Sequence, residues 1–362
     1  MSYKVFSKDL SLALVFFSTI FYIKYILIKP AYIVLFGFIL YSLINQKYII
    51  YKSYFFVSYL YVAFLIWHLV YLGSDPGMIL NAIISILCFP IFLFYMKDLN
   101  IRQIKIFLNI CIVYLLIEVI WRLLHPVYEI DKRELVSQDG SGWYYPYKMS
   151  SFIFTDSNYV ALHIFCLIFI SLLFRLKWHS LILFILMMLT ISRSGILGAI
   201  IIFLYFYIDS TKFSKYLRPL FVCAFIFGIF YLLLNISVLT DGSFNSKFFI
   251  INSAIEYTKS HFVLFDYIFG VGLSHSFDLI DIGAHNIFVV LLFETGVLGF
   301  ISYFMFFSVF LSKKYYYSNR GLMNYLVYLF VFLLMGFSLG LYLFPIMILT
   351  IAFILRGSKD VV

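Results

Sequence analysis

The stretch HSLILFILMMLTISRSGILGAIIIFLYFYI, residues 179–208, decides how the chain is organised. As one helix it would be about 45 Å long at about 1.5 Å per residue, which exceeds a hydrocarbon core of about 30 Å. A single crossing would also place the basic segment 209–218 on the outer side. We therefore predict a hairpin of two short helices, 179–192 and 194–208, that meet around Ser192-Arg193-Ser194-Gly195.

Long apolar stretches continue on both sides of this hairpin. The chain has 362 residues, of which 64% are hydrophobic, 22% aromatic and only 12% charged, so it has too few charges to cover a soluble globule. The pattern predicts an all-α polytopic membrane protein with one multi-pass domain over residues 1–362 and about twelve transmembrane helices. These predicted spans are residues 10–23, 31–45, 53–72, 79–96, 104–124, 157–174, 179–192, 194–208, 219–235, 286–311, 321–339 and 342–355.

The charges between the spans set the expected orientation. With both termini in the cytoplasm, 17 of the 26 Lys and Arg residues lie inside, whereas 13 of the 17 Asp and Glu residues lie outside or in the membrane. The net charge is +9, but the basic residues form no continuous run, so no nucleic-acid partner is expected. Lys4 and Lys8 precede an apolar segment without a cleavage pattern, so the first helix should be retained. The four cysteines lie in apolar stretches, and we expect neither disulfides nor a metal or cofactor.

Two outer loops are large enough to carry function, residues 125–156 and 236–285. The second contains a predicted amphipathic helix near Ser246–His261. Arg193 is the most informative charge, because an arginine near membrane depth costs about 2.5–3.5 kcal/mol and is retained for a partner, here an anionic one. The alternative is that Arg193 only reaches toward lipid headgroups.

The second signal is Gly283-Ala284-His285-Asn286, followed by Gly296-Val297-Leu298-Gly299. On a continuous helix, His285, Gly296 and Gly299 fall within about 40° of one face. Small residues on that face would allow close helix packing and fix His285 at the outer end. Glu294 would point away from His285. The alternative reading of the histidine is an ordinary interfacial residue.

The order and spacing of these residues resemble the signature of the O-antigen ligase and O-antigen polymerase (Wzy type) superfamily, over about residues 150–311. The matching pieces are Arg193 with Leu197, the His285-Asn286 pair, and Gly-x-x-Gly at Gly296. Phe154-Thr155-Asp156-Ser157-Asn158 is similar to the family's Phe-and-Asn entry to a helix, and Gly270-Val271-Gly272 to its Gly-x-Gly. The chain departs from the family at Lys247, which stands where many members have a second arginine and cannot form a bidentate fork.

The resemblance implies a GT-C-like membrane glycosyltransferase of the bacterial inner membrane, acting at the periplasmic face on undecaprenyl-pyrophosphate-linked glycans. Arg193 would stabilise the departing pyrophosphate, and His285 would act as base or contact the phosphate. Membrane lipid and a chain-length regulator protein are further implied partners. The residues assigned to substrate binding are Lys247, Asn286, Asn158, Asp156, Arg122 and Trp143.

Other residues have competing readings. Glu118 and Arg122 are four apart on one helix, so a structural ion pair competes with a phosphate contact by Arg122. Lys148 and Lys259 are expected to be solvated loop charges. Trp143, with its tyrosine neighbours, could stack on sugars or simply belong to the interfacial aromatic belt. Glu129-x-Asp131 could suggest a metal-dependent loop, but an exposed charge run is favoured.

Three functions remain open on sequence. The high Phe, Tyr and Ile content is similar to that of strain-specific O-antigen polymerases, which favours a polymerase. A ligase would use lipid A-core as acceptor instead. A flippase-type transporter would need polar groups near the midplane of several helices, and the predicted spans have few.

Overall fold

The structure is a computed structural model that describes residues 3–26, 29–127, 145–148, 150–154, 156–209, 242–281, 283, 285–312, 319–337, 339–340 and 342–356. Within these ranges every regular element is helical and none is a strand, as predicted. The predicted span 219–235, the segment Glu129–Asp131 and Trp143 lie outside the described residues.

A helix occupies each predicted span that falls within the described ranges. The α-helices, numbered in chain order, are α1 (Tyr3–Ser18), α2 (Pro30–Ile44), α3 (Lys52–Leu72), α4 (Pro76–Tyr95), α5 (Ile101–Leu124), α6 (Tyr145–Lys148), α7 (Ser157–Leu173), α8 (Lys177–Leu189), α9 (Arg193–Asp209), α10 (Gly242–His261), α11 (Leu264–Phe269), α12 (Ser276–Ile280), α13 (Ile287–Val289), α14 (Gly296–Ser308), α15 (Asn319–Gly336) and α16 (Pro345–Arg356).

Three helical segments are long and apolar enough to cross a membrane: Lys52–Leu72, Pro76–Asp98 and Ile101–Leu124. The remaining apolar helices at predicted span positions are shorter, at 10–17 residues. Large apolar side chains of α3 such as Phe55, Phe56 and Tyr59 are exposed, which is the surface that a lipid environment covers. The chain is a membrane-embedded protein.

The predicted hairpin is confirmed. Helix α8 ends at Leu189, and α9 begins at Arg193 after a turn in which Ile191 has a φ of 58°. Gly195 allows the hairpin to close on the bundle, because a Cβ atom there would lie 2.7 Å from Ala161 Cβ and 2.8 Å from Met187 Sδ. The sequence around Arg193 is therefore a tight turn between two packed helices.

Helix α7 is the centre of the bundle. Every residue from Ala161 to Ile170 is buried, so this helix is apolar on all sides, as a helix enclosed by others must be. Helices α8, α9 and α16 pack around it. Its first turn is thereby held at the middle of one end of the bundle.

The predicted continuous helix over 286–311 is wrong. The segment consists of α13, one π-helical turn at Val290–Glu294, a break at Thr295, and α14. Gly296 has a φ of +65°, the left-handed conformation that interrupts a right-handed helix. His285, Gly296 and Gly299 therefore do not share one face of a straight helix. The segment is apolar on both sides of the break, so its composition does not show where the helix is interrupted.

Residues 242–281 form a layer over one end of the bundle, here called the loop layer. The predicted amphipathic helix is confirmed as α10, which buries Ile250 and Ala254 against Val289 and Phe293 in a small separate core. Backbone hydrogen bonds attach the layer to the helix ends, as in the bond from Asp75 N to the carbonyl oxygen of Leu273 at 3.1 Å. We call this end of the molecule the loop end.

Candidate functional site

The carboxylate of Asp156 forms the N-terminal cap of α7 at the loop end. One of its oxygens accepts the backbone N–H of Asn158 at 2.8 Å, and the other accepts the side-chain amide of Asn158 at 2.9 Å. Such caps satisfy backbone donors that the helix cannot satisfy itself. Asn158, predicted to bind substrate, thus holds Asp156 in a fixed orientation at the bundle centre.

Arg193 is the first residue of α9 and is exposed. The turn that precedes it is anchored by neighbouring helices, since the hydroxyl of Ser157 donates to the carbonyl oxygen of Thr190 at 2.8 Å. Arg122 Nη2 donates to the carbonyl oxygen of Leu189 at 3.1 Å. The backbone that carries Arg193 is therefore fixed while its side chain reaches solvent.

Arg122 lies below this turn and is only 2% exposed. Its Nε atom lies 3.2 Å from Glu118 Oε1, so the predicted i,i+4 ion pair is confirmed. Glu118 Oε2 also accepts the backbone N–H of Phe152 at 3.2 Å. Arg122 interacts electrostatically with Asp156 from this buried position. The buried pair and the contact with Leu189 make Arg122 a support for the turn that carries Arg193, while its substrate contact stays a prediction.

Lys247 lies on the side of α10 that faces the bundle. It precedes Ile250 by three residues and Ala254 by seven, so the 3.6-residue periodicity puts all three on the buried face. Burial is the main cause that lowers the pKa of Lys247, and the charge of Lys148 lowers it further, while Asp156 raises it. The ammonium therefore belongs to a shared charge environment rather than to bulk water.

Lys148, at the end of α6, is a correction to the sequence analysis, which expected a solvated loop charge. It is partly buried and interacts electrostatically with Asp156 and Arg193. Burial lowers the pKa of Lys148, Asp156 raises it and the charge of Arg193 lowers it. Lys259, the other lysine read as a loop charge, is exposed on α10 as expected. Nothing in the local sequence distinguishes these two lysines, because the difference arises from which elements pack around each.

His285 immediately precedes the cap of α13. Asn286 Oδ1 accepts the backbone N–H of Phe288 at 2.8 Å, and its Nδ2 donates to the carbonyl oxygen of Phe337 at 3.0 Å. Asn286 is fully buried. The side chain predicted to contact substrate is thus a structural cap, which fixes the backbone next to His285.

The His285 ring reaches solvent at the loop end while lying close to the two lysines. Desolvation on its protein side lowers the pKa of His285, the charges of Lys247 and Lys148 lower it further, and Asp156 raises it. The imidazole is therefore neutral at pH 7, since its ordinary pKa is about 6.5 and the net shift here is downward.

Five side chains from separate segments thus interact electrostatically at the loop end. We call Arg193, Lys148, Lys247, His285 and Asp156 the cationic cluster, in which Asp156 interacts electrostatically with Lys148, Lys247 and His285, and Arg193 interacts with Lys148. One arginine and two lysines outnumber the single carboxylate, so the cluster carries a net positive charge. Such a site stabilises an anion that brings its own charge between the cations.

Glycines join the loop layer to the broken helix below it. A Cβ atom on Gly296 would lie 2.4 Å from the backbone nitrogen of Gly270, and Gly272 N donates to the carbonyl oxygen of Glu294 at 2.9 Å. The close approach predicted for Gly296 is therefore real, but its partner is the Gly270-Val271-Gly272 backbone rather than a second helix. The contact holds α10, and with it Lys247, against the segment that carries His285.

Comparison with known proteins gives one result that bears on this arrangement. Residues 178–304 match the family model described as O-Antigen ligase. The match covers about a third of the chain and includes the hairpin, the loop layer and the segment from His285 to Gly299. Lys148 and Asp156 lie before it. No curated protein and no solved structure matches the chain.

The match supports the O-antigen ligase and polymerase superfamily inferred from the motif spacing. The family model takes its description from O-antigen ligases, which points toward a role in O-antigen or lipopolysaccharide assembly. It does not distinguish a polymerase from a ligase.

Proposed function

We propose that this protein is an O-antigen polymerase that transfers a growing polysaccharide from undecaprenyl pyrophosphate to a new lipid-linked repeat unit. The observation that carries the proposal is the cationic cluster, in which Arg193, Lys148 and Lys247 converge beside the neutral imidazole of His285. A diphosphate is the part of the substrate that needs fixed positive charge.

The reaction replaces one bond to the sugar anomeric carbon by another. The hydroxyl oxygen of the acceptor sugar attacks C1 of the donor glycan, and the bond between C1 and the pyrophosphate oxygen breaks. The bonding electrons leave with the polyprenyl pyrophosphate, whose growing negative charge Arg193 and the two lysines stabilise. The proton of the acceptor hydroxyl goes to a base.

His285 is suited to be that base because its pKa is lowered and the ring is neutral at pH 7. Asp156 raises the pKa of His285 and so stabilises the imidazolium that forms when the proton arrives. The role of base predicts that activity falls as the pH drops through the lowered pKa of His285. A role limited to hydrogen bonding the phosphate predicts no such loss on the acidic side.

In the proposed orientation the loop end faces the periplasm and both termini lie in the cytoplasm of a bacterial inner membrane. The distribution of Lys and Arg between the spans supports this orientation. A chain-length regulator is the protein partner that the polymerase role implies.

The direct test is extension of a defined lipid-linked repeat unit by the purified protein in detergent, with and without a chelator. We expect a ladder of products from the wild type, and none from Arg193→Ala or His285→Ala at equal protein level. Arg193→Lys should also be impaired if a bidentate phosphate contact matters. Arg320→Ala, at the start of α15 and the opposite end of the bundle, is the matched control. A normal ladder from either cluster variant would remove that residue from the mechanism.

A ligase is the second candidate, favoured by the description of the matching family model. The two activities differ in the acceptor. In a strain that lacks the protein, lipopolysaccharide capped with a single repeat unit would support the polymerase. Loss of all O-antigen while lipid-linked polymer accumulates would support the ligase.

A further inference from the structure

The loop layer contains a cavity of about 300 Å³ that is separate from the cationic cluster. Its walls include the aromatic residues Tyr257 and Phe262 and the ionisable residues His261, Asp266, His275 and Asp278. The volume lies at the lower end of the roughly 300–1,000 Å³ that is usual for small-molecule sites, so it suits a ligand of one or two rings.

The backbone around the cavity is built to hold His275 in one position. Gly272 has a φ of +106°, and a Cβ atom there would lie 2.8 Å from His275 Nδ1. His275 Nδ1 donates to the carbonyl oxygen of Val271 at 2.8 Å, because a carbonyl can only accept. In the neutral ring Nε2 is then an acceptor. Gly272, part of the Gly-x-Gly motif, makes room for this ring.

The chemistry of the lining favours a hydroxyl-rich, uncharged ligand. Tyr257 stacks on His261 with ring centroids 4.3 Å apart, which gives the cavity an aromatic wall. Asp266 uses one carboxylate oxygen to accept the backbone N–H of Val263 at 3.0 Å and keeps further acceptor capacity. Asp278 is exposed and makes no side-chain hydrogen bond to any other residue in the described ranges. Carboxylates accept hydrogen bonds from hydroxyl groups and repel an anion.

A metal ion is the other ligand that such residues could suggest. No group of three or more His, Cys, Asp or Glu residues in the part of the chain that the structure describes could hold one. Aromatic faces beside hydrogen-bond acceptors are instead the combination that binds a sugar ring, whose faces are apolar and whose rim carries hydroxyls.

The position of the cavity relates it to the cationic cluster. Helix α10 carries Lys247 near one end and Tyr257 and His261 near the other. Ten residues separate Lys247 from Tyr257, or about 15 Å along the helix, and fourteen separate it from His261, or about 21 Å. Both distances are longer than one sugar ring. If the diphosphate of a lipid-linked glycan lies at the cluster, the sugar that reaches the cavity is therefore several units away from that diphosphate.

We propose that this cavity is a saccharide subsite that binds one uncharged sugar unit of the glycan, several units from the bond that reacts. The inference rests on the proposed function for the identity of the glycan. In this arrangement the two ends of α10 bind different parts of the glycan substrate. The cations bind the diphosphate, and the carboxylates and aromatic rings bind the sugar.

Binding can be tested without turnover. Saturation-transfer NMR would be recorded on the full chain in detergent with methyl glycosides of glucose, galactose, rhamnose and N-acetylglucosamine as probes. We expect transfer to at least one glycoside, and about tenfold weaker binding in Asp278→Asn, because a charged acceptor becomes a neutral one. His261→Ala should weaken binding as well. Saturating inorganic pyrophosphate should leave the glycoside signal unchanged.

Asp281→Asn is the matched control, since Asp281 is an exposed aspartate three residues along that does not line the cavity. Asparagine also tolerates its φ of 56°. Absence of transfer to every glycoside, equal binding in Asp278→Asn and wild type, or displacement by pyrophosphate would each overturn the subsite. Failure of the wild type to extend lipid-linked repeats would instead remove the proposed function and leave sugar binding standing.

Two extension measurements assign the bound sugar to its source. A lipid-free repeat-unit oligosaccharide can act only as acceptor, since it has no diphosphate to lose. A higher KM for this oligosaccharide in Asp278→Asn would place the acceptor in the cavity. A higher KM for the lipid-linked donor would place the donor there, and an unchanged KM for both would contradict the subsite.

Discussion

Replacing Lys148 with glutamine tests the residue of the cationic cluster that the sequence analysis misread. The ammonium of Lys148 interacts with Asp156 and Arg193 and lowers the pKa of His285. If Lys148 contacts the diphosphate, its loss removes one charge-assisted hydrogen bond, worth about 1.5–3 kcal/mol. At about 1.4 kcal/mol per tenfold, kcat/KM should fall about 10- to 150-fold.

The same substitution should also change the pH dependence. Removing a positive neighbour raises the pKa of His285 toward its ordinary value of about 6.5, so the imidazole becomes protonated at higher pH than in the wild type. The acidic limb of the kcat/KM profile should therefore move to higher pH. At pH 8 the imidazole is neutral in both proteins, so the loss that remains there measures the missing phosphate contact alone.

The assay is the initial rate of extension of a lipid-linked repeat unit between pH 5 and pH 8, with equal amounts of folded protein. Lys259→Gln removes the same charge from an exposed position on α10 and should leave both the rate and the profile as in the wild type. A Lys148→Gln enzyme within twofold of the wild type, with its acidic limb unmoved, would refute the role of Lys148 in the cluster.

Three further predictions concern stability, measured by thermal unfolding of the purified protein in detergent. Gly296→Ala should lower the free energy of unfolding by at least about 1–2 kcal/mol because of the left-handed backbone, and the clash of a Cβ 2.4 Å from a backbone nitrogen adds to this loss. Gly37→Ala is the control, because a Cβ there would have nothing within 4 Å and should not destabilise the protein. Arg122→Met should lower the free energy of unfolding by about 3–5 kcal/mol, because it leaves Glu118 buried without its partner. The double variant that also carries Glu118→Gln should recover part of this stability, and no recovery would contradict the ion-pair explanation. Asn286→Ala should cost about 1 kcal/mol for the lost cap of α13, and an unchanged melting temperature would show that the cap is dispensable.

The positions of the helices followed from the sequence because membrane burial acts on local composition. A run of apolar residues interrupted by charges is enough to locate a helix, and the helices of the structure lie at the predicted spans within the described residues. The hairpin at Arg193 followed from length and charge alone. The amphipathic helix α10 was predicted near Ser246–His261, and the structure shows that its buried face carries Ile250 and Ala254.

The break at Gly296 was hidden because the local run is apolar on both sides of it. The glycine was read as a packing surface for a straight helix, whereas its left-handed φ and its contact with Gly270 depend on a segment 26 positions earlier in the chain. The contact of Asn286 with the bundle was hidden for the same reason, since its bond to the carbonyl oxygen of Phe337 is a tertiary contact.

By itself, the sequence determined that the chain is a bundle of apolar helices and that Arg193 and His285 are its most informative polar residues. The resemblance already placed Lys247 and Asp156 with them, and only the tertiary structure added Lys148 and decided that Arg122 supports the turn before Arg193. The physical reason is the range of the forces involved. Apolar burial acts on each segment through its own residues, whereas the surroundings of a charge are set by segments distant in sequence that folding brings together.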